Sequence, residues 1–349
     1  MKQKTTNLKS RRFFLKNSMI ASSGILVAPS LSLGAPAYLP NLKQNNATIE
    51  GVTLGLITYS FRALKEQSAE ATLSYIKSCG INAVEMMGGP AESFAGKPES
   101  SVDRRAYYGL IRKERDQKIS ADETKELNEM RAQNASYEKE IAAWLSGASL
   151  APFEELRKMY AAEGVSIYAY KPALFSKRNS NAEIQFGMQA AKALGASHVT
   201  LEHPSDDMHT MRLGKLAQQE NIFVAYHGHE QQTPTFWDTA LKQSSHNALN
   251  LDLGHYVAAG NAAPLQIMKD KHMHIKSMHV KDRTTPENGK KNLAWGTGDT
   301  PIVEALQLMR DEQYSFPATI EYEYSTPENS DVLSEIKKCV AYCQTALSS

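Results

Sequence analysis

The feature of this sequence that most restricts its fold is a regular alternation of short apolar runs with helix-like segments. From residue 51 onward, eight runs rich in β-forming residues are each followed by a segment with helical spacing. The runs are apolar throughout rather than at every second position, which is typical of parallel strands covered on both faces. Their ranges are Val52–Phe61, Ile81–Met87, Val165–Lys171, His198–His203, Ile222–His229, Ala248–His255, Ile275–Lys281 and Ala318–Tyr322.

Eight such units predict an α/β fold, a (β/α)8 TIM barrel that spans residues 50–349. A doubly wound open sheet is the alternative, but that fold normally carries a glycine-rich phosphate loop after its first strand. Here the first strand leads into Thr58-Tyr59-Ser60-Phe61, which has no glycine. The sequence therefore favours the closed barrel.

Almost eighty residues separate the second strand from the third. The part at about 100–150 is dense in charged side chains, with apolar residues at helical spacing, so we predict a helical insertion in the second βα loop. Loops that follow the strands lie on the catalytic face of such barrels. The insertion is therefore a solvated helical hairpin, a lid over the barrel mouth, or a contact between subunits of a homo-oligomer.

Residues 1–37 have the pattern of an export signal. Ser10–Lys16 matches the twin-arginine motif, with the arginine pair at Arg11 and Arg12, and an apolar stretch and small residues at Gly34–Ala37 follow. The apolar stretch is short and diluted by serine, glycine and proline, so it is a poor membrane-spanning helix. We therefore expect a cleaved twin-arginine signal peptide, a periplasmic location and no stable membrane anchor.

Net charge restricts the partners. Residues 1–37 hold six of the 39 basic residues and no acidic residue, which leaves 33 basic against 38 acidic residues in the remainder. A mildly acidic body argues against nucleic acid as a partner, because binding to it requires a basic face. The three cysteines, Cys79, Cys339 and Cys343, form no disulfide framework and are expected to be core thiols.

Acidic and histidine side chains end successive strands, where the active sites of such barrels lie. Burying these charges without partners is costly, and a divalent cation is a common partner. Glu202, Asp252, His279 and Glu321 end the fourth, sixth, seventh and eighth strands and are predicted to bind one ion. Three carboxylates and one imidazole favour Mn²⁺, with Mg²⁺, Co²⁺ or Zn²⁺ as alternatives. Glu323 shares a strand face with Glu321 and is an alternative ligand.

These strand ends resemble the xylose isomerase-like superfamily of sugar phosphate isomerases and epimerases, which includes ketose 3-epimerases, inosose dehydratase and endonuclease IV-type barrels. The motifs that carry the resemblance are Leu201-Glu202, Asp252-Leu253-Gly254-His255, His279-Val280-Lys281-Asp282 and Ile320-Glu321-Tyr322-Glu323. The resemblance implies the same four metal ligands, and it implies that His255 and Lys281 approach the substrate. His227-Gly228-His229 resembles the histidine motif after the fifth strand of inosose dehydratase-like members. His227 and His229 are candidate substrate contacts, or they hydrogen-bond to the metal ligands, and a structural role is the alternative for at least one of them.

Two further residues are candidates on position alone. Lys171 ends the third strand and could act as a general base if burial and a nearby cation lowered its pKa, or it could contact the substrate. Trp295 lies in the loop after the seventh strand and could stack on a sugar ring or pack within the loop.

Together these features predict a metal-dependent isomerase or epimerase for a small sugar or keto-sugar. The metal would polarise a carbonyl, and Glu202 or Glu321 would remove the neighbouring proton while the other returns it. The same abstraction followed by loss of a β-substituent would make the protein a lyase for a keto-sugar, keto-glycoside or inosose. A non-catalytic periplasmic sugar-binding barrel is an alternative of another class. The insertion and the export signal argue against a cytosolic sugar phosphate as substrate.

Overall fold

The structure, a computed structural model, describes residues 48–349, so the predicted signal peptide lies outside the described residues. Eight parallel strands close into a barrel in chain order, because β1 pairs with both β8 and β2. The strands are β1 (Val52–Ile57), β2 (Ala83–Met87), β3 (Ser166–Lys171), β4 (His198–Glu202), β5 (Phe223–His227), β6 (Asn247–Asp252), β7 (Ile275–Val280) and β8 (Ala318–Ile320). The prediction of a (β/α)8 TIM barrel is confirmed.

Twelve α-helices lie among the described residues, and they surround the strands or follow them at the mouth. They are α1 (Ala69–Ser78), α2 (Gly88–Phe94), α3 (Arg104–Arg115), α4 (Ala121–Gly147), α5 (Ala151–Ala162), α6 (Asn181–Ala193), α7 (Asp207–Glu220), α8 (Asp238–Gln243), α9 (Leu253–Ala258), α10 (Pro264–Lys271), α11 (Ile302–Asp311) and α12 (Val332–Ser348). Within residues 48–349, no helix is both long enough and apolar enough to cross a membrane.

The insertion between β2 and β3 contains α3 and α4. The 27-residue α4 begins at a capping box in which Ser120 and Glu123 satisfy each other's backbone N–H groups. The second half of α4 contacts the rest of the barrel domain: Tyr137 Oη donates to the carbonyl of Pro98 (3.3 Å), Trp144 Nε1 donates to the carbonyl of Ala95 (3.2 Å), and the Trp144 ring meets Phe186 of α6 edge-on at 6.0 Å. Most of α4 before that point is exposed to solvent.

Side chains fill the barrel interior. The hydroxyl of Tyr168 in β3 lies 2.7 Å from that of Thr319 in β8, and these strands are not neighbours, so the contact crosses the barrel. Gly55 in β1 leaves room for it, because a Cβ at that position would lie 2.5 Å from the Tyr168 oxygen. The barrel is therefore a packed core, and open space for a ligand lies beyond the strand ends.

Six of the eight strands end before their apolar runs do, and the difference is largest in the first and sixth strands. The first ends at Ile57 and passes into a 3₁₀ turn, Thr58–Phe61. The sixth ends at Asp252, whose side chain accepts a hydrogen bond from the backbone N–H of His255 and so begins α9. His255 therefore lies on a helix rather than at a strand end.

Candidate functional site

The registers of β5 to β8 bring four side chains to one point at the barrel mouth. Asp252 pairs with His279 across β6 and β7, and His227 pairs with Asn250 across β5 and β6. Glu321 directly follows β8, where Thr319 pairs with His279. His227, Asp252, His279 and Glu321 are all buried, with at most 5% of each residue exposed. We call these four residues the mouth cluster.

A lysine neutralises part of this negative charge. Lys281 Nζ lies 2.9 Å from Asp252 Oδ2, 2.9 Å from Glu321 Oε2 and 2.7 Å from Glu323 Oε2. Burial alone would lower the pKa of Lys281, but the three carboxylates outweigh burial and raise it above its ordinary value. Lys281, predicted as a substrate contact, is thus placed as an internal counter-ion.

His279 bridges two carboxylates. Its Nδ1 lies 3.0 Å from Glu321 Oε2, and its Nε2 lies 2.8 Å from Oε2 of Glu85, a fully buried residue of β2. Burial alone would lower the pKa of His279, but Glu85 and Glu321 raise it to about 10. Sequence reasoning did not assign Glu85 a role, although an acidic residue inside an apolar run is the signal that could have found it.

Asp252 presents a buried oxygen that lacks a hydrogen bond. Its Oδ2 lies 3.9 Å from His227 Nε2 and 3.9 Å from His279 Nδ1, and the Lys281 ammonium at 2.9 Å is not aligned as a hydrogen-bond donor. Burial raises the pKa of Asp252 to about 6. Burial also holds the pKa of His227 well below its ordinary value, so this imidazole is neutral. A charged, unsatisfied oxygen beside a neutral imidazole suits a bound cation.

Two atom pairs of the mouth cluster meet the distance requirement for one ion. The candidate ligand atoms of His227, Asp252 and His279 all lie within 4.8 Å of one another. Two atoms bonded to one ion at about 2.0–2.2 Å can be no more than about 4.4 Å apart, so the two 3.9 Å separations fit. Glu321 Oε2 adds a carboxylate beside His279. The structure thus brings together three of the four predicted ligands, Asp252, His279 and Glu321.

The structure does not bring Glu202 into the mouth cluster. Its side chain is 49% exposed, with Oε1 2.7 Å from Lys171 Nζ and Oε2 3.3 Å from His229 Nε2. Glu202 is the last residue of β4 and pairs with His227 of β5, and it is His227 that reaches Asp252. His227, predicted as a substrate contact, is therefore the fourth residue of the mouth cluster.

Lys171 does not have the lowered pKa that a general base would need. Burial alone would lower its pKa, but the Glu202 carboxylate outweighs burial and raises it. Lys171 is therefore a cation at neutral pH. A role as general base required a lowered pKa, and Lys171 does not meet this requirement. Its ammonium group is suited instead to donating a hydrogen bond or a proton.

Two histidines line the rim above the mouth cluster. The rings of His229 and His255 stack with their centroids 4.4 Å apart, and Arg283 contacts both His255 and Glu230. Burial, followed by the charge of Lys281, holds the pKa of His255 below its ordinary value. Together with His227, these histidines form a second group whose ring nitrogens lie within 4.8 Å of one another.

Trp295 lies away from this group. Its ring packs edge-on against Tyr342 of α12 at 6.0 Å. The loop that carries it is held by Asp282, whose Oδ2 accepts hydrogen bonds from the backbone N–H groups of Gly296, Thr297 and Gly298. Packing against the outer helix is therefore the contact that the structure shows, rather than a ring presented to the mouth.

Comparisons with solved structures agree on the fold. A sugar phosphate isomerase/epimerase from Parabacteroides distasonis is 16% identical, with a TM-score of 0.54 over 87% of this chain and 97% of that one. A 3-keto-D-glucoside 4-epimerase from E. coli is 12% identical, with a TM-score of 0.52 over 84% and 98%. A probable 3-DHS dehydratase from Bacillus anthracis is 14% identical, with a TM-score of 0.54 over 82% and 98%. At these identities the likeness shows a shared fold alone.

Sequence comparison is more specific about the family. No curated protein sequence gives a significant match. The family model described as xylose isomerase-like TIM barrel matches residues 130–341, which is more than half of the chain and includes every strand from β3 to β8. The chain belongs to the xylose isomerase-like TIM barrel family.

Proposed function

We propose that this protein is a metal-dependent isomerase or epimerase that moves a proton next to the carbonyl of a sugar or keto-sugar. The observation that carries the proposal is the buried Oδ2 of Asp252, which has no hydrogen bond and lies between the imidazoles of His227 and His279. Membership of the family supports an enzyme of this broad type with a small-molecule sugar substrate.

His227, Asp252, His279 and Glu321 would hold the ion. Two imidazoles and two carboxylates form a donor set of intermediate hardness, which favours Mn²⁺ and also admits Co²⁺, Mg²⁺ or Zn²⁺. When bound, the ion would supply Lewis-acid polarisation of the substrate carbonyl.

We assign proton transfer to Glu202 and metal holding to Glu321. A general base works best when its pKa lies near the working pH. Burial alone would raise the pKa of Glu321, but Lys281 and His279 outweigh it and hold the pKa well below the ordinary value, so Glu321 is a weak base. The Glu202 carboxylate stands half-exposed at the rim, where a substrate can reach it, and Lys171 orients one of its oxygens.

The charges at the mouth favour an uncharged substrate. Among the described residues, each cation named at this site already faces a carboxylate: Lys171 faces Glu202, Arg283 contacts Glu230, and Lys281 faces three acids. Recognition of a phosphate usually relies on cations or backbone N–H groups that are free to bind it. The proposed substrate is therefore a sugar without a phosphate.

In D2O with saturating Mn²⁺, an uncharged keto-sugar should gain deuterium at a carbon next to its carbonyl, and its phosphate ester should react no faster. Proton NMR of a panel of matched sugar and sugar-phosphate pairs measures both rates. A phosphate ester that reacts tenfold faster than its parent sugar would contradict the assigned substrate class. Saturable binding of sugars with no deuterium exchange would instead support a non-catalytic sugar-binding barrel.

A lyase outcome has one observation in its favour. Lys171 remains protonated beside Glu202, so an acid stands next to the proposed base and could protonate a leaving group on the β-carbon. A keto-glycoside or inosose would then lose that group after the same proton abstraction. The product of the D2O experiment separates the two outcomes, because elimination gives an unsaturated ketone and epimerisation retains every substituent.

Periplasmic location is a proposal that rests on Arg11 and Arg12. Replacing both with lysine should leave the precursor in the cytoplasm, because the twin-arginine pathway depends on that pair. Immunoblots of cell fractions measure the distribution, and replacing Lys2 and Lys4 with arginine is a charge-conserving control outside the motif. Undiminished periplasmic recovery of the Arg11→Lys, Arg12→Lys variant would rule this export route out.

A further inference from the structure

Two fully buried polar residues lie directly behind the mouth cluster, and neither belongs to the proposed ligands or base. Glu85 Oε2 lies 2.8 Å from His279 Nε2 and 3.3 Å from Asn250 Nδ2. Asn250 Nδ2 also donates to Ser277 Oγ at 2.7 Å, and Asn250 Oδ1 lies 2.8 Å from His227 Nδ1. One carboxylate oxygen is thus linked to both imidazoles of the mouth cluster.

The hydrogen-bonding capacity of these groups leaves one consistent arrangement. The Glu85 carboxylate is surrounded by donors: the Thr200 hydroxyl lies 2.6 Å from Oε1, and His279 Nε2 and Asn250 Nδ2 lie 2.8 Å and 3.3 Å from Oε2. Asn250 must therefore turn its NH2 group towards Glu85, which leaves its carbonyl oxygen facing His227 Nδ1. An acceptor at 2.8 Å requires a proton on Nδ1, and only a ring that carries no second proton offers a lone pair on Nε2.

We propose that Glu85 and Asn250 are positioning residues that hold His227 as its Nδ1–H tautomer, so that the Nε2 lone pair is presented towards Asp252. Glu85 accepts the Nε2–H of His279, whose Nδ1 lies 3.0 Å from Glu321 Oε2. His227 Nε2 and His279 Nδ1 are the ring nitrogens that face away from Asn250 and Glu85. Each lies 3.9 Å from Asp252 Oδ2. The catalytic consequence of this inference rests on the proposed function, whereas the tautomer itself does not.

The arrangement matters because histidines that bind metal ions usually donate their other ring N–H to a carboxylate, carbonyl or water. With Nε2 protonated instead, His227 would point a proton at the candidate ion and offer no lone pair. Losing such an orienting partner typically weakens metal binding about 10–100-fold.

The unmodified protein gives the first test. Ring ¹⁵N NMR of the metal-free protein labelled at histidine should show His227 with a protonated Nδ1 and an unprotonated Nε2. The His227 signal is assigned by its loss in a His227→Gln variant. A protonated Nε2 on His227 would overturn the proposal, and this test requires no substitution within the network.

The second test compares two buried asparagines on β6. Asn250→Leu removes the link between Glu85 and His227 at nearly constant volume, and calorimetric titration with Mn²⁺ alone should show affinity about 10–100-fold weaker. Asn247→Leu is the matched control, because Asn247 is also buried but donates to the carbonyls of Ala240 and Thr210. It should lower the melting temperature and leave Mn²⁺ affinity of the folded protein unchanged.

The outcomes separate this inference from the proposed function. If the unmodified protein binds no Mn²⁺ but His227 carries its proton on Nδ1, the positioning role is supported and the proposed metal dependence fails. If Mn²⁺ binds and Asn250→Leu changes neither its affinity nor the ¹⁵N spectrum of His227, the positioning role is wrong and the proposed function stands.

Discussion

Asp252→Asn should abolish tight Mn²⁺ binding and reduce turnover at least about a hundredfold while the protein stays folded. The substitution removes the anionic Oδ2 around which His227 and His279 are arranged. Lewis-acid catalysis is worth several kcal/mol, and each 1.36 kcal/mol changes a rate about tenfold. Calorimetry with Mn²⁺ and steady-state turnover at saturating Mn²⁺ measure the two losses.

The fold should survive this change for two reasons. Asparagine retains the oxygen that accepts from the His255 N–H, and it caps helices about as well as aspartate. Burial also raises the pKa of Asp252 to about 6, so the folded state favours its neutral form and is destabilised by the ionised form at higher pH. Relative to the unmodified protein, the variant should therefore become more stable as the pH rises through 6.

Asp282→Asn is the matched control, and it should affect stability rather than Mn²⁺ binding. Both oxygens of this buried carboxylate accept backbone N–H groups of the loop after β7, and an amide can replace only one of them. This variant should lose stability but bind Mn²⁺ normally when folded. If Asp252→Asn retained native Mn²⁺ affinity, the ion would not be held by the mouth cluster.

The fold could be predicted because its signal is local. Continuous apolar runs reflect strands covered on both faces, and eight of them fit a closed barrel. Strand ends were predicted less accurately. The apolar run Ala248–His255 includes the first residues of α9, and hydrophobicity alone does not distinguish the end of a strand from the first turn of a helix. The end of β6 is set by Asp252, whose side chain caps α9, and this capping role depends on backbone geometry that the sequence does not show.

The general position of the candidate site could also be predicted, but not the role of each side chain. The same strand-end pattern contains Glu202 and His227, which pair across β4 and β5, and only the three-dimensional arrangement shows that His227 reaches Asp252. Similarly, the charge of Lys171 depends on the Glu202 carboxylate beside it. Trp295 meets Tyr342, which is 47 positions further along the chain, and no local pattern indicates that contact.

Different expected losses for Glu202→Gln and Glu321→Gln provide the sharpest test of the proposed roles. Glu202→Gln should reduce deuterium exchange by about 10²–10⁴, the usual contribution of a general base, because an amide cannot take up the proton. Its Mn²⁺ affinity should stay native, since Glu202 lies outside the mouth cluster and contacts Lys171 and His229. Glu321→Gln should instead weaken Mn²⁺ binding, because it removes the charge beside His279 and Lys281.

Both variants are assayed by NMR in D2O at several Mn²⁺ concentrations, since saturating Mn²⁺ should restore much of the Glu321→Gln rate and none of the Glu202→Gln rate. Glu230→Gln is the control, because Glu230 is also a partly exposed rim carboxylate but contacts Arg283. It should exchange deuterium within a few-fold of the native rate.

If Glu202→Gln exchanged at a near-native rate while Glu321→Gln stayed inactive at saturating Mn²⁺, the roles of the two glutamates would be reversed. The weak basicity argued for Glu321 would then have to change when substrate binds, because its pKa is set by contacts with Lys281 and His279 that a ligand could displace.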